Sequence, residues 1–180
     1  NKILLIGPNG AGKSTLLSIV SGLRHTISGK IKKSPELKIS YCGTFPGLYL
    51  DLSTEENLIF FGNKERAEKA MNIWGFKNTT APLRNLSKGQ QMLCSIAANT
   101  MNSPDIFIMD ESTSSLDDES VCLIQNNIER FVSTFIIASH DINRLAPIIN
   151  RVILLKENKI TKDSQDVVEM ENILQSYRRK

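Results

Sequence analysis

Nine consecutive residues, Gly7, Pro8, Asn9, Gly10, Ala11, Gly12, Lys13, Ser14 and Thr15, have the types and spacing to cradle the phosphates of a nucleotide. They fit G-x-x-x-x-G-K-[ST], in which glycines let successive backbone N–H groups turn inward onto phosphate oxygens. A helix beginning there adds the positive end of its dipole. Lys13 would then lie on the β- and γ-phosphates, and Ser14 would offer its hydroxyl to Mg²⁺. The motif needs a strand before it and a helix after it. The apolar run Ile3 to Ile6 precedes it, and Leu16, Leu17, Ile19 and Val20 follow.

A second group of candidates is Asp110 and Glu111, at the end of Ile106, Phe107, Ile108 and Met109. Four apolar residues in a row read as a strand buried on both faces, as in a parallel sheet. Ligands of open α/β sheets bind at the carboxyl ends of such strands. Asp110 would hold Mg²⁺, directly or through water, and Glu111 would take a proton from an attacking water. Alone, two acids after a strand are as often a solvated strand end; beside a phosphate loop they are its expected partner. His140 follows another apolar strand, Phe135 to Ala138, at the same edge of the sheet.

Leu86 to Gln90 reads LSKGQ and opens a helix, because Ser87 is a good N-cap and Leu93, Ile96, Ala97 and Thr100 recur at helical spacing. Ser87, Lys88, Gly89 and Gln90 would make a second anion site at that helix start, or would merely cap it.

The order of these strings resembles the ATPase subunit of ATP-binding-cassette (ABC) transporters over nearly the whole chain. Phosphate loop, signature Leu86 to Gln90, acidic strand Ile106 to Glu111, turn Ser114 to Asp117 and His140 occur in the family's sequence. The resemblance implies an α/β P-loop NTPase: a mainly parallel sheet flanked by helices, with a small helical insert at about residues 53–101. It implies ATP and Mg²⁺ as cofactors and ATP hydrolysis as the activity, with Glu111, His140 and Lys13 catalytic and Ser14 and Asp110 at the metal. In that reading Ser87 and Gly89 meet the γ-phosphate held by a second subunit, identical or not, and His140 is the switch that keeps Glu111 and water in register. Asp117 acts across the dimer, or is only the N-cap of the helix carrying Val121, Ile124, Ile128 and Phe131. Partners would be transmembrane permease subunits, placing the chain at the cytoplasmic face of a membrane. Among compact members it is similar to the haem exporter ATPases of cytochrome c maturation.

Departures from the family pattern set further expectations. Thr44 stands where a glutamine usually senses Mg²⁺, and its shorter hydroxyl needs a water bridge or weakens coupling. Lys88 replaces a commoner glycine and should point to solvent, and Ser112 replaces proline. Asn1 lies six residues before Gly7, so the antiparallel strands and adenine-stacking aromatic that usually come first are expected to be missing, and either base recognition rests on little more than the phosphates or the sequence is a piece of a longer protein. Discrimination between ATP and GTP should be poor. A rival reading is a nucleotide-gated binding or assembly subunit with weak hydrolysis.

The elements needed to position these residues are legible in the remaining pattern. Strands are expected at Lys2 to Ile6, Lys38 to Cys42, Ile106 to Asp110, Thr134 to Ala138 and Arg151 to Leu155, with Lys159 to Thr161 returning as a hairpin. Insert helices are expected at Thr54 to Phe61 and Lys64 to Trp74, the latter with Ala67, Ala70, Met71 and Trp74 on its core face. Val167, Met170, Leu174 and Tyr177 mark a final helix packing on the sheet. The apolar loop Phe45 to Leu50 either docks a partner or packs under the insert. At 180 residues, 41% hydrophobic and 23% charged, the composition suits one compact domain. A net charge of +3 gives no warrant for a nucleic-acid partner, and Arg178, Arg179 and Lys180 read as a solvated tail. Cys42, Cys94 and Cys122 are widely spaced and read as reduced.

Overall fold

The computed structural model describes residues 1–26, 28–76 and 80–178, so Arg179 and Lys180 of the basic tail lie outside it. Five parallel strands, β1 (Lys2–Ile6), β2 (Ile39–Cys42), β3 (Ile106–Asp110), β4 (Thr134–Ala138) and β5 (Arg151–Lys156), are joined by antiparallel β6 (Lys159–Ser164) in the order β2-β3-β4-β1-β5-β6. Side chains alternate across the sheet and feed two cores. Leu5, Ile108 and Ala138 pack with Leu17 of α1 (Lys13–Ser21) on one face. Leu4, Ile6, Phe107, Met109, Phe135 and Ile137 face the other, under α4 (Lys88–Thr100) and α5 (Asp118–Ile128). Burial on both faces is why these strands are continuous apolar runs rather than alternating ones.

The insert is α2 (Thr54–Phe61) and α3 (Lys64–Trp74), with the expected boundaries. Ser53 and Glu56 form a capping box that starts α2, and the Asn63 side chain caps α3. Ala67, Ala70 and Trp74 are buried, and Met71 packs at the core's edge. Trp74 stacks on Phe131 at a centroid distance of 6.3 Å, and Asn127 donates to the Ile73 carbonyl at 3.0 Å, so the insert is clamped to α5.

Four boundaries differ from expectation, the smallest being β5, which runs one residue further to Lys156 because Lys156 pairs with Lys159 across the hairpin. β2 starts at Ile39 because the Lys38 N–H donates to the Asp105 carboxylate at 2.8 Å, a side-chain bond that apolar patterning does not register. β6 runs on to Ser164, since an edge strand is held by backbone pairing and by the Arg151–Asp163 ion pair at 2.6 Å rather than by apolar burial. Phe131 lies beyond the end of α5 at Ile128 yet still packs on its core. A short α6 (Ile142–Leu145) follows His140, and α7 (Val167–Arg178) closes the chain against β5 and β6. Its buried residues are Met170, Ile173 and Leu174; Val167, expected on that face, is exposed in the first turn.

Just past the end of β1, Gly7 lies against β5, where a Cβ would stand 2.2 Å from the Leu155 carbonyl oxygen. Gly7→Ala should therefore destabilise the fold by about 1–3 kcal/mol through forced backbone displacement. Urea unfolding of the variant against wild type checks this.

Candidate nucleotide site

The phosphate loop is shaped by its glycines and closed by its lysine. Gly12 has φ 92°, a left-handed conformation that suits a residue without Cβ, and its carbonyl accepts the Leu16 N–H at 2.8 Å to begin α1. Pro8, Asn9, Gly10, Ser14 and Thr15 are exposed around this turn, whereas Ala11 and Lys13 are buried. The Lys13 ammonium folds back onto its own loop, donating to the carbonyls of Gly7 at 2.8 Å and Pro8 at 3.3 Å. It has no ion-pair partner among the described residues, so an incoming anion meets an unneutralised cation.

Beside it, the buried Asp110 carboxylate is held by two hydroxyls. Ser14 donates to Oδ1 at 3.1 Å and Tyr41 donates to Oδ2 at 2.8 Å. Parallel pairing creates the second contact, since β2 lies beside β3 with Tyr41 opposite Ile108. A cleft of about 680 Å³ opens here, lined by Ser14, Tyr41, Thr44 and Asp110 and reaching Phe61 and Asn102 of the insert side. Thr44 is exposed on its wall. Among the described residues there is no cluster of three or more His, Cys, Asp or Glu side chains suited to a metal. One buried carboxylate and one hydroxyl nevertheless fit Mg²⁺, which takes hard oxygen ligands and shares its sphere with phosphates and water rather than an all-protein cage.

Glu111 turns away from the strand with φ 55°, uncommon for a residue with a side chain and found where surrounding structure holds it in place. Its N–H donates to the Ala138 carbonyl at 2.9 Å, and its own carbonyl accepts the Ser114 hydroxyl at 2.8 Å. The Glu111 Oε1 lies 3.3 Å from the His140 Nε2 but without hydrogen-bond alignment, and this buried oxygen has no other donor. Such an oxygen has its lone pairs free to accept a hydrogen bond from a bound molecule. Below His140, the Ser139 hydroxyl meets that of Thr113 at 3.1 Å and accepts the Asp141 N–H at 3.1 Å. Arg144 extends the brace, donating to the Leu116 carbonyl at 3.0 Å and pairing with Asp118 and Asp141, each at 3.1 Å.

Ser87 and Gln90 form a capping box, with the Gln90 N–H donating to the Ser87 hydroxyl at 3.2 Å and the Ser87 N–H donating to the Gln90 amide oxygen at 3.0 Å. Lys88 is exposed, as its substitution for glycine requires. A Cβ on Gly89 would lie 3.1 Å from the Ser115 carbonyl, which ties the start of α4 to the turn before α5. Asp117 caps α5 by accepting the Ser120 N–H at 2.9 Å, and this pairing with Ser120 holds its carboxyl below the ordinary range. The fold thus brings together Gly7 to Thr15, Asp110, Glu111 and His140. Ser87 to Gln90 and Asp117 form a separate surface, with no hydrogen bond to the phosphate loop among the described residues. Three residues of the site had escaped the motif reading: Tyr41, Arg144 and Tyr177, whose hydroxyl donates to the Gly7 carbonyl at 2.6 Å. Only the apolar spacing of Tyr177 was visible in sequence.

A glycine-rich loop between strand and helix, facing an acidic strand end on a mainly parallel sheet, defines a P-loop NTPase. More narrowly, the chain belongs to the ABC transporter family, whose model matches residues 1–114, and it forms an ABC-type ATPase domain. ATP-binding cassette sub-family F member 2 of Mus musculus is 30% identical over 97% of this chain and 29% of that protein. The cytochrome c biogenesis ATP-binding export protein CcmA of Paracoccus denitrificans is 39% identical over 67% of this chain and 59% of its own length. A dimeric ATP-binding cassette solved in a post-hydrolysis state with ADP and Pi superposes with a TM-score of 0.73 at 25% identity, covering 91% of this chain and 84% of that one. The chain spans about a third or less of the first curated relatives it matches.

Burial, followed by the hydrogen bond to Asp110, pushes the Tyr41 phenol from 10.0 up to about 12. A raised pKa means that the protonated phenol stabilises the fold below pH 10, and that this contribution is lost as pH rises toward about 12. Tyr41→Phe should flatten that alkaline decline, measured as melting temperature against pH in both proteins.

Proposed function

We propose that the chain binds and hydrolyses ATP as one half of a cassette dimer whose opening and closing drives membrane partner subunits. The observation carrying this reading is the division of the site. Phosphate loop, acids and His140 share one sheet edge, while Ser87 to Gln90 stand apart as a second helix start with exposed side chains. A second copy is needed to place them on the same phosphates, and the dimeric cassette supports that arrangement.

In this reading the phosphate loop N–H groups bind the phosphates, and Lys13 leaves its carbonyl partners for the β- and γ-oxygens. Ser14 and Asp110 would hold Mg²⁺, which when bound neutralises charge on the transferring phosphoryl group. Glu111 accepts a proton from the water that attacks phosphorus as the bond to the ADP oxygen breaks. His140 keeps that carboxylate turned toward the water, and Asp117 meets the opposite subunit. Thr44, on the cleft wall, would reach a bound metal only through a water, and without one its coupling to the partner would be weakened.

For the membrane partner, the insert and the loop before it present an exposed aromatic group. Tyr49 and Phe60 meet edge to face at 4.7 Å, Phe60 and Phe61 at 5.3 Å, and Phe45 stands 86% exposed beside them. Such a cluster is a docking surface by its apolar area, and none of the described helices is long and apolar enough to cross a membrane itself. The chain would then be peripheral, on the cytoplasmic side. The likeness to an export protein of cytochrome c biogenesis supports haem handling as the narrower setting.

Glu111→Gln should keep nucleotide binding but lower ATP turnover by about 10²–10⁴-fold, the usual worth of a positioned base. It should also accumulate as a dimer with ATP and Mg²⁺ in size-exclusion chromatography. Wild-type turnover no faster than the variant's, with the partner subunits present, would favour the assembly role with weak hydrolysis. Phe60→Asp should weaken recovery of the membrane subunits in pull-downs while leaving ATP affinity unchanged.

A further inference from the structure

Two donors converge on one backbone oxygen of the phosphate loop. The Gly7 carbonyl accepts the Lys13 ammonium at 2.8 Å and the Tyr177 hydroxyl at 2.6 Å, and Gly7 itself is buried. Tyr177 comes from the last turn of α7, some 170 positions along the chain, and is carried there by the buried anchors Met170, Ile173 and Leu174. Ser164 pins the start of the same helix by donating to the Glu169 carboxylate at 2.7 Å. Between the helix end and the loop lies a cavity of about 360 Å³, lined in part by Pro8, Asn9, His140 and Tyr177. The last helix therefore touches the phosphate loop and the wall that carries His140.

The consequence follows from hydrogen-bond accounting at Gly7. While Lys13 rests on the loop, that carbonyl has two partners, so losing either leaves it satisfied. When phosphates draw the ammonium of Lys13 away, one partner remains only if Tyr177 is present. A buried acceptor left without any donor costs more than a typical hydrogen bond contributes. We infer that Tyr177 is a positioning residue for nucleotide binding, which keeps the Gly7 carbonyl satisfied when Lys13 turns to the β- and γ-phosphates. Burial, together with the negative charge of Glu111, raises the phenol pKa, so the hydroxyl remains a donor at neutral pH. Coupling is reciprocal, so phosphate occupancy also tightens the seating of α7 on the loop.

This inference rests on the nucleotide reading, and isothermal titration of wild type and Tyr177→Phe with ATP, ADP and AMP separates the two. ATP and ADP reach Lys13 with their outer phosphates, so their affinities should fall about fivefold to tenfold, the effect of one orphaned buried acceptor. AMP affinity and the melting temperature of the nucleotide-free protein should hardly change, because Lys13 still satisfies Gly7 there. Equal losses for all three nucleotides would show a general structural role and overturn the inference, as would no loss for any. A wild-type protein that binds none of the three would remove the nucleotide reading and this inference with it.

Discussion

Asp110 is the constraint around which the site is assembled. A carboxylate nearly excluded from water must have partners, because transfer of a bare charge into the interior is prohibitive. Here they come from two directions: Ser14 from the first turn of α1 and Tyr41 from β2. Each contact requires an element to be in place. α1 must start directly at the phosphate loop, and β2 must pair with β3 in the observed register. The same acid that suits Mg²⁺ therefore also holds the loop, the helix and the outer strand in one arrangement.

A second brace runs along the neighbouring strand end. Glu111 adopts a left-handed backbone because its N–H is held by β4 and its carbonyl by Ser114. This strain turns its side chain out of the strand and toward His140. Ser139, Thr113 and Arg144 then connect His140 to the turn that ends at Asp117. The segment that carries His140 is thus tied by hydrogen bonds to the turn that leads into α5. The cleft beside Asp110 extends toward Phe61 and Asn102, so the buried acid and part of the exposed aromatic group border one space.

Lys13 and Tyr177 add a reserve of hydrogen bonding to the loop. The ammonium is parked on backbone carbonyls rather than on a carboxylate, so its release to phosphate requires no ion pair to be broken. That parking is inexpensive only where the vacated carbonyls keep other partners. The last helix supplies one, giving it a place at the site although it carries none of the motifs.

The lengths of β1, β3 and β4, both insert helices and the N-caps at Ser87 and Asp117 were readable in one dimension. Those features depend on local chemistry: apolar runs buried on both faces, helical periodicity and side chains bonding three residues onward. The phosphate loop and the Asp110–Glu111 pair were legible for the same reason, since their atoms lie within short strings. Tyr41 and Tyr177 were not, because a strand register and a helix end 170 positions away decide what each hydroxyl meets. The edge strand β6 was underestimated because pairing with β5, and not apolarity, holds it. By itself, then, the order of residues determined which groups could do chemistry and which elements present them. Only the tertiary structure decided which groups are satisfied, which are strained and which stand ready to move, because those properties arise from contacts between segments that nothing local joins.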